Sequence, residues 1–174
     1  NYNLGNFLEA ESLAKSLLTR NAKDYQLCNI YGLILLKLNK TEGAVSYFQK
    51  SINIKSDFFE AHSNLLKSLY ELKKYDEAIL QSKKCLKINS KSIGTLLLLG
   101  NLYDKLNQEK KSEKYFREIL KINSKDSNAY YSLGNLYKKK ANYEKAIDNY
   151  KLAIKFNENY FASYNNLGTL YQEV

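Results

Sequence analysis

The chain has no proline, no methionine and no tryptophan, and only seven glycines in 174 residues. So little turn chemistry excludes a fold of many short strands, whose hairpins draw on glycine and proline. One histidine and two cysteines cannot supply the four nitrogen and sulfur ligands of a structural zinc site, so no metal and no other cofactor is expected. No apolar run reaches the ~20 residues of a membrane span, and no signal peptide opens the chain, so no membrane partner is expected. Cys28 and Cys85 lie far apart in apolar stretches. They read as small buried hydrophobes of a reducing, cytoplasmic compartment rather than as a disulfide. Initiator methionine is absent, and Val174 follows an amphipathic run without a stop signal, which reads as a piece of a longer protein.

Hydrophobic residues make up 44% of the chain, enough for a packed core. The net charge of +9 rests on 25 lysines and only two arginines, Arg20 and Arg117, while asparagine reaches 20 and tyrosine 16. Two readings follow: lysine as the solvent-facing filler of an AT-rich coding sequence, or a basic surface for an anionic partner. The lysines run along the whole chain without clustering, which favours the first.

The sequence repeats itself. LGNLYDKL (99–106) and LGNLYKKK (133–140) begin 34 residues apart, and Ala10, Ala44, Ala78 and Ala146 keep the same step, with Ser112 in the intermediate place. One register covers the chain without insertion. Full repeats span 25–58, 59–92, 93–126 and 127–160, residues 1–24 form the second half of an earlier repeat, and 161–174 the first helix of a further one. Each repeat divides into two stretches of helical periodicity, as in Leu96, Leu99, Leu102, Tyr103 and Leu106, then Tyr115, Phe116, Ile119, Leu120 and Ile122. Short breakers separate the halves: Asn39-Lys40, Lys73-Lys74, Asn107-Gln108 and Ala141-Asn142. Asparagine tolerates the left-handed conformation that ends a helix. The pattern predicts ten helices and no strand, at 7–20, 26–38, 42–55, 60–72, 76–89, 94–106, 110–123, 128–140, 144–157 and 162–173. The fold class is an all-α solenoid of antiparallel helix pairs.

Tyr130, Leu133, Gly134 and Tyr137 in one helix, with Ala146, Tyr150 and Ala153 in the next, resemble the tetratricopeptide repeat pattern, and the resemblance runs through the chain. Gly32, Gly100, Gly134 and Gly168 are expected to let paired helices approach closely, against the alanine column of the second helix. Leu66 departs from the glycine, and His62 and Cys28 stand where Tyr130 and Tyr164 stand in other repeats. His62 reads as a packed core histidine. The resemblance implies a right-handed solenoid whose first helices line a concave groove for an extended peptide or a partner helix, with no catalysis by the repeats. No nucleophile elbow or phosphate loop contradicts that.

Groove-facing positions on this reading include Asn64, Lys67, Leu97, Asn101, Lys105, Tyr131, Asn135, Lys138 and Asn166, with Asn29, Ile30, Leu33 and Leu98 beside them. Asparagine carries donors and an acceptor, so it can hold a ligand backbone without selecting side chains. The arginine of the family's carboxylate-clamping members is missing from every groove helix. A protein or peptide partner is expected. An alternative is a substrate-recruiting arm of a larger enzyme, similar to the repeats of O-linked N-acetylglucosamine transferases. Nucleic acid is not expected, because arginine forks are lacking and few groove aromatics are available for stacking. The apolar residues of both end helices predict weak end-to-end self-association.

Overall fold

The computed structural model describes residues 2–173, with side chains described from Gly5 to Gln172. Ten helices follow one another: α1 (Tyr2–Arg20), α2 (Tyr25–Lys37), α3 (Thr41–Ile54), α4 (Phe59–Glu71), α5 (Tyr75–Ile88), α6 (Ile93–Lys105), α7 (Glu109–Ile122), α8 (Ser127–Lys139), α9 (Tyr143–Phe156) and α10 (Phe161–Glu173). No strand occurs among the described residues. The fold is a helical repeat solenoid, in two compact units, Asn1–Ser90 and Lys91–Val174. In the first unit each of α1 to α4 packs on the helix that follows it, and in the second each of α6 to α9 does.

The helices fall where the periodicity places them, most starting and ending one residue early. The exception is α1, which runs back to Tyr2 instead of starting at residue 7. Gly5 stands at the register place where the other repeats turn, yet the helix continues through it, and nothing lies within 4 Å of a Cβ built there.

The paired helices are held by a buried small column, Ala44, Ala78, Ser112 and Ala146, all 0% exposed. The glycines do not face that column. A Cβ on Gly32 would lie 2.5 Å from a Phe48 ring carbon, one on Gly100 2.4 Å from Phe116, and one on Gly134 2.5 Å from Tyr150. The glycine partner is therefore an aromatic ring four residues beyond the alanine, not the alanine that the spacing pointed to. The second full repeat inverts the arrangement: Leu66 replaces the glycine and Ser82 replaces the ring, and both are fully buried. Large and small have changed sides. The Ser82 hydroxyl is satisfied by the Ala78 carbonyl at 2.8 Å.

The turns inside the repeats share one backbone state. Asn39, Lys73, Asn107 and Ala141 have φ of 58°, 59°, 56° and 54°. Asparagine occupies this left-handed well readily, whereas a Cβ without a compensating polar group costs about 1–2 kcal/mol there. Ala141→Gly is expected to raise stability by about 1 kcal/mol, seen as a higher urea midpoint at unchanged slope. An unchanged midpoint would mean that the turn is not strained. Among the described residues, side-chain N-caps start α2, α6, α8 and α9: Asp24 accepts from the Leu27 N–H, Ser92 from Thr95, Asp126 from Ala129 and Asn142 from Lys145.

In the second unit a charged cluster joins α7 to α8. The Glu113 carboxylate accepts hydrogen bonds from the Tyr137 hydroxyl (2.6 Å), Arg117 (2.9 Å) and Lys140 (3.3 Å). Burial alone would raise its pKa, but these donors outweigh it and hold the carboxyl at about 2. Because the folded value lies below the ordinary 4.5, the stabilisation is present above that pH and is lost as pH falls towards 2. Glu113 remains partly solvated, so about 1–2 kcal/mol is expected after screening. Glu113→Gln should therefore be less stable than the parent near neutral pH and equal to it in strong acid. A difference that persists unchanged into acid would show that the carboxylate charge contributes nothing.

Both end helices expose apolar side chains. Leu8, Leu13 and Leu17 of α1 are 51%, 63% and 41% exposed, and Phe161, Tyr164 and Tyr171 of α10 are 72%, 48% and 56% exposed. On α10 the side turned to the core is Ser163 and Leu170, both 0% exposed, with Leu167 half-buried. Tyr171, which the register places on the inner side with Leu167, faces outward. Phe7 is half-buried, and the Leu4 side chain lies outside the described residues. No helix among the described residues is long and apolar enough to cross a membrane. Both cysteines are buried and unpaired with each other. His62 is a core histidine, 4% exposed.

Candidate functional site

Gly32, Gly100 and Gly134 face the ring of the second helix of their own repeat, and a strip that includes asparagines lies elsewhere on the first helices. In the first unit that strip belongs to α2 and α4. Asn64 on α4 donates through Nδ2 to Asn29 Oδ1 on α2 at 3.0 Å. Asn29 is buried, Asn64 half-buried, and Lys67 one turn along is exposed. Ile30 and Leu33 of α2 stand beside the pair, 51% and 40% exposed.

In the second unit the strip belongs to α6, α8 and α10. Asn166 on α10 donates through Nδ2 to Asn135 Oδ1 on α8 at 2.9 Å, and lies 3.3 Å from the Tyr150 hydroxyl and 3.4 Å from that of Tyr131. Tyr150 in turn donates to Asn135 Oδ1 at 2.8 Å. Its ring is fully buried beneath Gly134, and burial pushes its pKa up to about 12 although the Asn166 contact works the other way. Tyr131 packs its ring against Tyr160, with centroids 5.1 Å apart. On α6, Asn101 holds the register place of Asn135, but the second helix there offers Phe116, which has no hydroxyl. The half-buried Asn101 amide makes no hydrogen bond within the described chain. Leu97 and Leu98 flank it, both half-buried, and Lys105 is exposed. The α8 residue Lys139 reaches Asp104 Oδ1 (3.2 Å) and Asn107 Oδ1 (2.8 Å), which ties α8 to α6. Lys138 is half-buried and has an interaction of its own.

Of the residues that the sequence marks, Tyr131, Asn135 and Asn166 are thus in one hydrogen-bonded group, Leu97, Asn101 and Lys105 lie on the adjacent α6, and Asn64 and Lys67 belong to the other unit. Asn29, placed beside the groove by the sequence, completes the pair with Asn64. One participant was not among the groove positions: Tyr150, which anchors Asn135. A signal for Tyr150 exists in the sequence: it stands where Phe48 and Phe116 stand, so its hydroxyl has to find a polar partner.

The two asparagine pairs share a polarity. In each, the later asparagine donates to the carbonyl of the earlier one. Asn29 and Asn135 keep amide hydrogens, and Asn64 and Asn166 keep a carbonyl oxygen. A donor beside an acceptor at that separation matches the N–H and C=O of a peptide group.

Comparison with known proteins gives the following. Family models described as tetratricopeptide repeat match residues 25–58, 59–92, 93–126 and 127–160. The chain is 32% identical over 107 residues to RP472 of Rickettsia prowazekii (strain Madrid E), which covers 61% of this chain and 32% of that protein. It therefore spans about a third of that relative's length. Among solved structures, a tetratricopeptide repeat protein from Parabacteroides merdae ATCC 43184 superposes with a TM-score of 0.87 at 21% identity, covering 98% of this chain and 68% of that one. MamA from Desulfovibrio magneticus RS-1 gives 0.81 at 18% identity, with 90% and 88% covered. YrrB, a tetratricopeptide repeat protein with an unusual peptide-binding site, gives 0.71 at 18% identity, with 92% and 82% covered. At these identities the structural likeness speaks for the fold.

Proposed function

The chain belongs to the tetratricopeptide repeat family, whose arrays act as non-catalytic protein-interaction scaffolds, and from that premise we propose that its first-helix strips bind an extended peptide segment of a partner protein through the peptide backbone. The observation that carries this reading is the shared polarity of the Asn29–Asn64 and Asn135–Asn166 pairs, supported by the unpaired Asn101 amide. Hydrogen-bonding amides grip a backbone of any sequence, and the apolar Ile30, Leu33, Leu97 and Leu98 supply contact area for one or two hydrophobic side chains of the ligand. Lys67 and Lys105 favour segments with acidic residues. On this reading the whole chain serves as one array, with residues 1–24 and 161–174 as parts of further repeats.

A displayed library of short unstructured peptides, panned against the chain, tests the proposal. Selected peptides should shift the amide resonances of α2, α4, α6 and α8 on the asparagine side. Asn101→Ala should weaken them by roughly fivefold, the loss of one hydrogen bond worth about 1 kcal/mol. Peptides that map instead to α3, α5, α7 and α9, or that ignore Asn101→Ala, would overturn it.

A further inference from the structure

A cleft in the first unit lies away from the asparagine strip, between α1, α2 and α3. Its volume is about 410 Å³, and Lys15, Leu18, Thr19, Ala22, Cys28, Tyr47 and Lys50 line it. The lining grades inward: Lys15, Thr19, Ala22 and Lys50 are exposed, Leu18 and Tyr47 half-buried, and Cys28 is 1% exposed at the floor.

Other repeats of the same chain show what this place holds when it is filled. At the register place of Cys28 the next repeat has His62. Gln81 donates to its Nδ1 (2.8 Å), which leaves Nε2–H to donate to the Ser56 carbonyl at 2.9 Å. The fourth full repeat has Tyr130, whose hydroxyl donates to the Ser124 carbonyl at 3.1 Å while its ring stacks on Phe156, with centroids 5.6 Å apart. In both, a flat ring fills the slot and its polar tip donates to the carbonyl of the residue that joins one repeat to the next. In the first full repeat that carbonyl belongs to Ala22, and Cys28 carries no ring to reach it. In the third full repeat Leu96 fills the same place without a ring, 4% exposed, so the place takes a bulky side chain, and the small Cys28 leaves room there for a ring from outside. At its mouth, Lys50 sits over the Tyr47 ring at 4.4 Å, and Lys15 pairs with Glu11 at 3.5 Å. Glu11 is already held by Lys40 at 2.8 Å, so the mouth is net positive.

We infer that this cleft is a binding site for a small phenolic acid. The phenol ring lies over Cys28, its hydroxyl donates to the Ala22 carbonyl as Tyr130 does to Ser124, and its carboxylate meets Lys15 and Lys50. Apolar slots left unfilled in a packed interior take up small rings of matching shape. No bond is made or broken, and the thiol serves only as floor.

The test uses 4-hydroxyphenylacetate, p-cresol and phenylacetate as probes on the 174-residue chain. All three should shift the amide resonances of Leu18, Ala22, Cys28 and Tyr47 saturably. The phenolic acid should bind most tightly, roughly twofold to fivefold better than p-cresol, and lose that margin in Lys50→Gln. Cys28→Tyr should fill its own slot, melt at a higher temperature than the parent and bind none of the probes. Thr19→Trp, a change at the exposed mouth that leaves the interior intact, should also block them. If the probes give no saturable shift in the parent, or bind Cys28→Tyr and Thr19→Trp as well as the parent, the slot is not a ligand site. If phenylacetate equals the phenolic acid, the assigned Ala22 hydrogen bond is wrong.

Discussion

Gly134→Leu is expected to lower stability by about 3 kcal/mol or more. A Cβ at that position would already lie 2.5 Å and 2.6 Å from two carbons of the Tyr150 ring, closer than such atoms approach. The ring cannot step aside. It is fully buried, and its hydroxyl is fixed by Asn135 at 2.8 Å. The helices α8 and α9 must separate, and their separation pulls Asn135 from the strip. Gly168 supplies the control. It holds the same register place on α10, yet nothing lies within 4 Å of a Cβ there. Gly168→Ala should raise stability by up to about 1 kcal/mol, the ordinary gain of alanine over glycine in a helix. Opposite signs from two equivalent glycines, read as urea midpoints, follow from the ring contact. Equal effects would show that the glycine column is not set by close approach.

The inverted pair in the second full repeat yields the other large effect. Ser82→Phe puts a ring where Leu66 already fills the space, at about 3 kcal/mol. Leu66→Gly removes a fully buried side chain and adds a helix glycine, at about 4 kcal/mol. Together they recreate the glycine-and-ring arrangement of Gly32 with Phe48. The double variant should recover about 2–3 kcal/mol of the summed loss, near the upper range of coupling between touching residues. Strict additivity in denaturation would mean that the two positions do not compensate each other and that Leu66 is accommodated by some other shift.

The register and the helix pairs were legible in the residues alone, because a spacing of 34 residues repeats over Leu, Gly and Ala positions that each pack one way. The left-handed turns were legible from Asn39 and Asn107, and the register carried the inference to Lys73 and Ala141, whose side chains give no sign of it. The ring beneath Gly32, Gly100 and Gly134 was not legible. Ala146 and Tyr150 lie one turn apart on the same face of α9, and only the rotation and depth of the helix decide which meets Gly134. The Asn64 and Asn166 bonds were hidden for a similar reason. Their partners sit 35 and 31 residues earlier, on the preceding first helix, at differing register places. The slot over Cys28 was visible in outline as a small residue where Tyr130 stands, but its depth and its lysine mouth depend on how α1 and α3 flank it. The outward turn of Tyr171 was not legible either: its neighbour Leu170 takes the buried side of α10, and the register alone does not fix that rotation.

The asparagine strips, on the function proposed above, hold a peptide by its backbone. The most direct measurement takes one peptide selected against the chain and compares two scans of it, alanine at each residue and N-methylation at each amide. Backbone recognition predicts that N-methylation at one or two interior amides abolishes binding, while alanine is tolerated at most positions and costs affinity only at the one or two hydrophobic anchors. If every N-methylated peptide binds like the parent and the alanine scan alone removes affinity, the strips read side chains, and Asn64, Asn101 and Asn135 do not grip a peptide backbone.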